Sequence, residues 1–142
     1  MSEPPTGPAR LAAVIGPIAA GTVWVEVCVL FGSGARDRLG PESDVDVGWL
    51  GTAPADGEAA LRAALERALH REVHLVDLGR APDLLRVEVA RGGVVAFERT
   101  PAVWTTFVGD AIARWLDIAP MIRACAEGVR RHALGGSGSP HG

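Results

Sequence analysis

The chain has 142 residues, enough for one domain with a real core. Its formal net charge is −3, and all fourteen basic residues are arginine. A nucleic-acid-binding surface is normally basic, so direct nucleic-acid binding is not expected. Lys, Tyr, Asn and Gln are absent, which fits either a GC-rich genome or a hot habitat. No run approaches the roughly 20 apolar residues of a membrane span. The N-terminus shows no basic segment followed by an apolar core, so no signal peptide and a cytoplasmic location are expected.

Residues 1–8 read as a loose leader. Ala9 to Ala20 predicts a helix, with Pro17 limiting its end. Val23 to Phe31 is rich in β-branched residues and predicts a first strand. A turn follows, and Ala35-Arg36-Asp37-Arg38 can begin a short helix. Asp44 to Leu50 predicts a second strand and Gly51 to Asp56 a turn. Glu58 to His70 carries an apolar stripe at Leu61, Leu65, Ala68 and Leu69, with Glu58/Arg62 and Glu66/His70 spaced i,i+4, and predicts a helix. Glu72 to Leu78 predicts a third strand. Pro82 suits a helix start, yet the alternation of Leu85, Val87 and Val89 suits a strand equally well. Val94 to Glu98 is a short strand. Pro101 to Ile118 predicts a helix with Trp104, Phe107, Val108, Ala111 and Trp115 on one face. Pro120 is expected to break it before a last helix, Met121 to Leu134. Residues 135–142 read as a flexible Gly/Ser tail, where His141 carries no role. The domain is therefore expected to span residues 1–134.

Two features read first as packing. Cys28 and Cys125 lie in apolar sequence and are expected as buried free thiols. The stripe of Trp104, Phe107 and Trp115 reads as core or interface before it reads as a base-stacking platform. An exposed part of it would point to an oligomer or a partner.

The most informative stretch runs from Phe31 to Leu50. Gly32-Ser33 is followed by ten residues and then Asp44-Val45-Asp46. Glycine lets the backbone turn tightly and lets a phosphate approach. Amides at a helix start point outward and carry partial positive charge, and the Ser33 hydroxyl adds a donor. On a strand, i and i+2 face one side, so Asp44 and Asp46 can present hard oxygen ligands to Mg²⁺ opposite the phosphates.

This spacing is the signature of the DNA polymerase β-like nucleotidyltransferase superfamily. Across residues 10–134 the chain resembles the minimal nucleotidyltransferases, or MNT-domain proteins, which are often antitoxins paired with a HEPN-domain toxin. The resemblance rests on Leu30-Phe31-Gly32-Ser33 with Ala35-Arg36 and on Ser43-Asp44-Val45-Asp46-Val47. It is extended by Val73 to Leu78, by Ala81 to Arg86 and by Trp115 to Pro120. It implies an α/β (α+β) fold, a small mixed sheet flanked by helices with further helices at the C-terminus. It also implies ATP as substrate, Mg²⁺ held by Asp44 and Asp46, and nucleotide contacts from Gly32, Ser33, Arg36 and Ser43. Arg36 reads equally well as a surface salt bridge.

Two departures stand out. The family's third acid falls where this chain has His74. Imidazole can act as a ligand or base, although Mg²⁺ prefers oxygen. His74 can equally be a structural histidine in a site that no longer works, or Asp77 or Glu72 can substitute through a bulge. All three readings stay open here. The second departure is Asp37, where the family often has Gly. An acid there would repel a triphosphate unless it points away or pairs with Arg36 or Arg38.

The resemblance implies a protein adenylyltransferase, with Asp44, Asp46 and His74 catalytic and a HEPN toxin as acceptor. The competing expectation is a catalytically impaired subunit that binds its partner structurally. Transfer to a small molecule ranks third, since such relatives usually carry an extra domain.

Overall fold

The computed structural model describes residues 5–135. Residues 1–4 of the expected leader, and the tail beyond 135 with His141, lie outside the described residues. The elements are α1 (Pro8–Ala20), β1 (Val25–Phe31), α2 (Gly32–Ala35), β2 (Val45–Gly51), α3 (Gly57–Leu69), β3 (Val73–Asp77), α4 (Asp83–Gly92), β4 (Val94–Glu98) and α5 (Pro101–Gly135). The strands form one mixed sheet in the order β3-β2-β1-β4. β1 runs antiparallel to β2 and β4, and β2 and β3 run parallel. This is the small helix-flanked sheet that the sequence predicts.

Alternation along β1 divides its side chains between two cores. Cys28 and Leu30 face α1 and α3, where Leu11, Ile15, Leu61, Leu65 and Leu69 close the layer. Val27, Val29 and Phe31 face the other way, toward Leu78, Val89 of α4 and Phe107 of α5. Each fully buried aliphatic side chain contributes about 1.5–3 kcal/mol of transfer free energy. At the α1 layer, Gly16 permits close approach: a Cβ there would stand 2.7 Å from the Ala96 carbonyl oxygen of β4.

The ambiguous segment after β3 is helical. Pro82 is the extended residue before α4, Asp83 opens its first turn and Gly93 ends it. Asp83 complements the positive end of the helix dipole. As a strand, the segment would put Leu85, Val87 and Val89 on one side. Arg86 ties α4 back to the chain, its Nη1 donating to the carbonyls of Leu78 (3.0 Å) and Gly79 (3.3 Å).

Three sequence expectations are corrected. Neither Pro17 nor Pro120 ends a helix, for both lie inside one, and α5 runs unbroken from Pro101 to Gly135. A proline removes one donor, leaving the carbonyl four residues earlier unpaired in the helix. Those carbonyls belong to Ala13 and Leu116, both exposed residues. Water can satisfy them. Cys125, expected buried, is exposed, whereas Cys28 is buried. No described helix is long and apolar enough to cross a membrane.

Candidate functional site

The site begins where β1 runs out. Gly32 follows Phe31 with φ +68, and a Cβ there would collide with the Asp46 carboxylate. Conformation and space both require glycine at this point. The single turn α2 starts at once, covering Gly32–Ala35, with Arg36 as its C-cap and Asp37 at φ 57. The helix expected to begin at Ala35 therefore ends there. Gly32's positive φ permits an immediate turn, and Asp37 reverses the chain, with Arg38 N–H donating to the Ser33 carbonyl at 2.8 Å. The outward amides belong to the Gly32–Ala35 turn rather than to residues 35–38. Asp37 sits where a left-handed residue is needed, a conformation that Asp tolerates better than most. It is exposed, and Arg36 pairs with Glu88 rather than with it.

Sheet register assembles the rest. Phe31 is paired with Asp46, and Asp46 with His74. Directly paired residues share a face, so all three lie on the α4/α5 side of the sheet. Asp46 Oδ1 and His74 Nδ1 are 3.1 Å apart, with 26% and 63% of their side chains exposed. Asp44 is exposed and immediately precedes β2 instead of lying within it. Gly32, Asp46 and His74 thus meet at one point, and Ser33 and Asp44 adjoin it in sequence.

Of the remaining sequence candidates, Arg36 stays beside the Gly32 turn, and Ser43, Asp77 and Glu72 fall elsewhere. The Ser43 hydroxyl accepts from Gly40 N–H at 2.9 Å and ties the loop before β2. Arg36 donates weakly to the Gly32 carbonyl (3.4 Å) and approaches Glu88 at 3.7 Å, the salt-bridge role foreseen for it. Asp77 does not replace the third acid. It lies opposite Trp49 in a β2–β3 register without a bulge, and its carboxylate accepts from Gly79 N–H at 2.9 Å and faces Arg80 at 3.9 Å. Glu72 precedes β3, where its carbonyl accepts from Val45 N–H at 3.0 Å. It shares a groove of about 300 Å³ with Ser43, Asp44 and His70, at Asp44's side and not at Asp46's.

Among the described residues no three acidic, histidine or cysteine side chains converge to hold a metal. Mg²⁺ needs no such cage, since it usually takes one or two carboxylates plus substrate phosphates and waters. The Asp46 carboxylate beside the Gly32 turn, with the exposed Asp44 two residues before it in sequence, fits that donor set.

Two features were not foreseen. Arg71 Nη1 donates to the carbonyls of Gly40 (2.8 Å) and Ser43 (3.0 Å), fixing the loop that delivers Asp44. Nothing in the sequence distinguishes it from the other arginines. The second is a cleft of about 600 Å³ beside Gly32, lined by Leu84 and Val87 of α4 and by Trp115 of α5. The aromatic stripe is therefore split. Trp104 and Phe107 stack on one another at 5.4 Å, Phe107 is buried, and Arg86 lies over its ring. Trp115 stands apart in the cleft.

Comparison with solved structures gives the same fold. A chain of a toxin–antitoxin crystallised with AMP-PNP matches at TM-score 0.69 and 23% identity, covering 80% of this chain and 94% of its own. A chain of the toxin–antitoxin MntA-HepT matches at TM-score 0.63 and 22% identity, over 80% and 92%. A chain of the tri-AMPylated Shewanella oneidensis HEPN toxin in complex with MNT antitoxin matches at TM-score 0.67 and 21% identity, over 87% and 98%. No curated protein sequence matches significantly. Residues 15–102 match the family described as "Polymerase beta, Nucleotidyltransferase". With more than half of its length in that match, the chain belongs to the polymerase β nucleotidyltransferase family.

Proposed function

We propose that this chain transfers AMP from ATP to a hydroxyl on a HEPN-type toxin partner and so silences it. The observation that carries the reading is the meeting of Gly32, Asp46 and His74 on one sheet face beside the α2 turn. Family membership supports nucleotidyl transfer as the reaction class. The choice of AMP, and of a toxin as acceptor, draws support from the similar chain found with a tri-AMPylated HEPN toxin.

In this reading the Gly32–Ala35 amides and the Ser33 hydroxyl bind the phosphates. Asp44 and Asp46 hold Mg²⁺, which would supply charge neutralisation on the phosphates. His74 replaces the family's third acid as base. Its Nδ1 faces Asp46 Oδ1, and an ionised carboxylate can only accept, so Nδ1 carries the proton. That tautomer leaves Nε2 with a free lone pair. The acceptor oxygen attacks the α-phosphorus, its proton passes to Nε2, and the bond to the β-phosphate breaks, releasing pyrophosphate. A partner would also cover Met121, Ile122 and Val129, which are exposed on α5. A second copy of this chain would cover them equally, and the mass of the purified protein in solution separates the two.

The test is transfer of label from α-labelled ATP to the partner. Asp44→Ala and Asp46→Ala are expected to lose it, and retention of full transfer by either would end the reading. One observation favours a second reading, a structural subunit with an impaired site: among the described residues, no further acid, histidine or cysteine joins Asp46 and His74 in a group able to hold a metal. Partner binding that is equally tight with and without ATP and Mg²⁺, together with no transfer by the parent, would select it.

A further inference from the structure

The apolar part of the cleft between α4 and α5 has no part in the phosphate and metal chemistry, yet it opens directly from it. Gly32 and Arg36 form its near end, and Leu84, Val87 and Trp115 its apolar walls. Its volume of about 600 Å³ falls within the roughly 300–1,000 Å³ of small-molecule sites. From Leu84 to Gly92 the α4 wall runs eight residues, about 12 Å at 1.5 Å per residue. Leu84 is 58% exposed, an apolar side chain left in water beside a half-buried indole. The polar groups at the rim are Arg36, Glu88 and Arg91. An elongated apolar slot with one aromatic wall and a charged rim, continuous with a phosphate turn, suits a flat heteroaromatic ring joined to a phosphate chain.

We infer that this cleft is the nucleoside subsite, and that Trp115 supplies its stacking surface from the C-terminal helix. The inference rests on the nucleotide reading of the Gly32–Asp46 site. It adds that α5, beyond the residues matched to the family, completes the substrate site. Trp115 stacks on one face of the base, while Leu84 and Val87 close over the other. Base–aromatic stacking is sequence-tolerant, since every base has a π-face. The cleft therefore contributes affinity for any nucleoside triphosphate over a bare polyphosphate.

Titration calorimetry on the full chain with Mg²⁺ tests this, using ATP and inorganic tripolyphosphate as probes. The parent is expected to bind ATP more tightly than tripolyphosphate. Trp115→Ala should weaken ATP binding by roughly ten-fold or more and leave tripolyphosphate unchanged, while Trp115→Phe should stay within about three-fold of the parent. ATP should also quench the parent's tryptophan fluorescence, and the quench should vanish in Trp115→Phe. Circular dichroism and the melting temperature of both variants control for folding. If Trp115→Ala binds ATP as the parent does while Asp46→Ala does not, the nucleoside subsite lies elsewhere and only this inference falls. Equal ATP and tripolyphosphate affinity in the parent overturns it likewise. If the parent binds neither probe, the nucleotide reading itself fails and takes the inference with it.

Discussion

The two faces of the sheet solve different problems. The α1/α3 face is closed, with Leu11, Ile15, Val45, Val47, Leu61 and Leu65 between 0% and 3% exposed. The α4/α5 face is closed only around Phe107 and Val89. Toward the end of β1 it opens to show Asp46, His74 and the cleft at Trp115. Alternation along a strand lets one sequence serve both, since Val45 and Val47 face the closed core while Asp46 between them faces the site. The closed core lies on one side and the candidate site on the other, so substitutions on each should have separable effects.

The largest expected effect is on the open face. Removing either carboxylate, by Asp44→Ala or Asp46→Ala, should lower label transfer by roughly 10²–10³-fold, the usual cost of losing one charge-stabilising group. The melting temperature should stay near that of the parent. On the closed face, Leu65→Ala should cost about 2–5 kcal/mol in denaturant unfolding, because a buried leucine leaves a cavity. Nucleotide affinity in the folded fraction should be unchanged. Loss of binding by folded Leu65→Ala would show that the two faces are not separable.

Gly32→Ala lies between these, for it strains a positive φ and pushes on Asp46 at once. It should cost about 1–3 kcal/mol in stability and also weaken ATP binding. His74→Ala should slow transfer by roughly 10²-fold if Nε2 takes the proton, with ATP affinity within a few-fold of the parent. His74→Asp should retain transfer better than His74→Ala. Equal activity of parent and His74→Ala would leave His74 a structural residue.

The smallest effect concerns the two thiols. Burial pushes the Cys28 thiol up from 9.0 to about 12, with the Val29 backbone hydrogen bond opposing. The folded value lies above the unfolded one, so the stability it contributes is complete below about pH 9 and is lost as the pH rises toward 12. At pH 8 a thiol reagent should label one site per folded chain, the exposed Cys125. Labelling of both at equal rates would mean that the closed face opens readily.

The legible parts of the sequence were those in which local chemistry dictates structure. Gly32-Ser33 and Asp44-x-Asp46 marked a turn between two strands, and strand parity placed Asp77 away from the site. The stripe at Leu61, Leu65 and Leu69 marked α3. The rest depended on neighbours distant in sequence. Pro17 and Pro120 read as breaks because a missing donor costs most when the freed carbonyl is buried, and here the carbonyls belong to exposed residues. Trp104, Phe107 and Trp115 share a helical face, but only the position of α4 shows that two of them pack while the third lines the cleft. Arg71 gave no local signal because its partners, Gly40 and Ser43, lie about thirty residues away.

Calorimetric titration of ATP into the parent and into Asp46→Ala, each with and without Mg²⁺, tests the central claim most directly. Binding by the parent that depends on Mg²⁺ and is lost in Asp46→Ala is the predicted result. Absence of ATP binding by the parent under either condition, or binding indifferent to both Mg²⁺ and Asp46, would contradict the account.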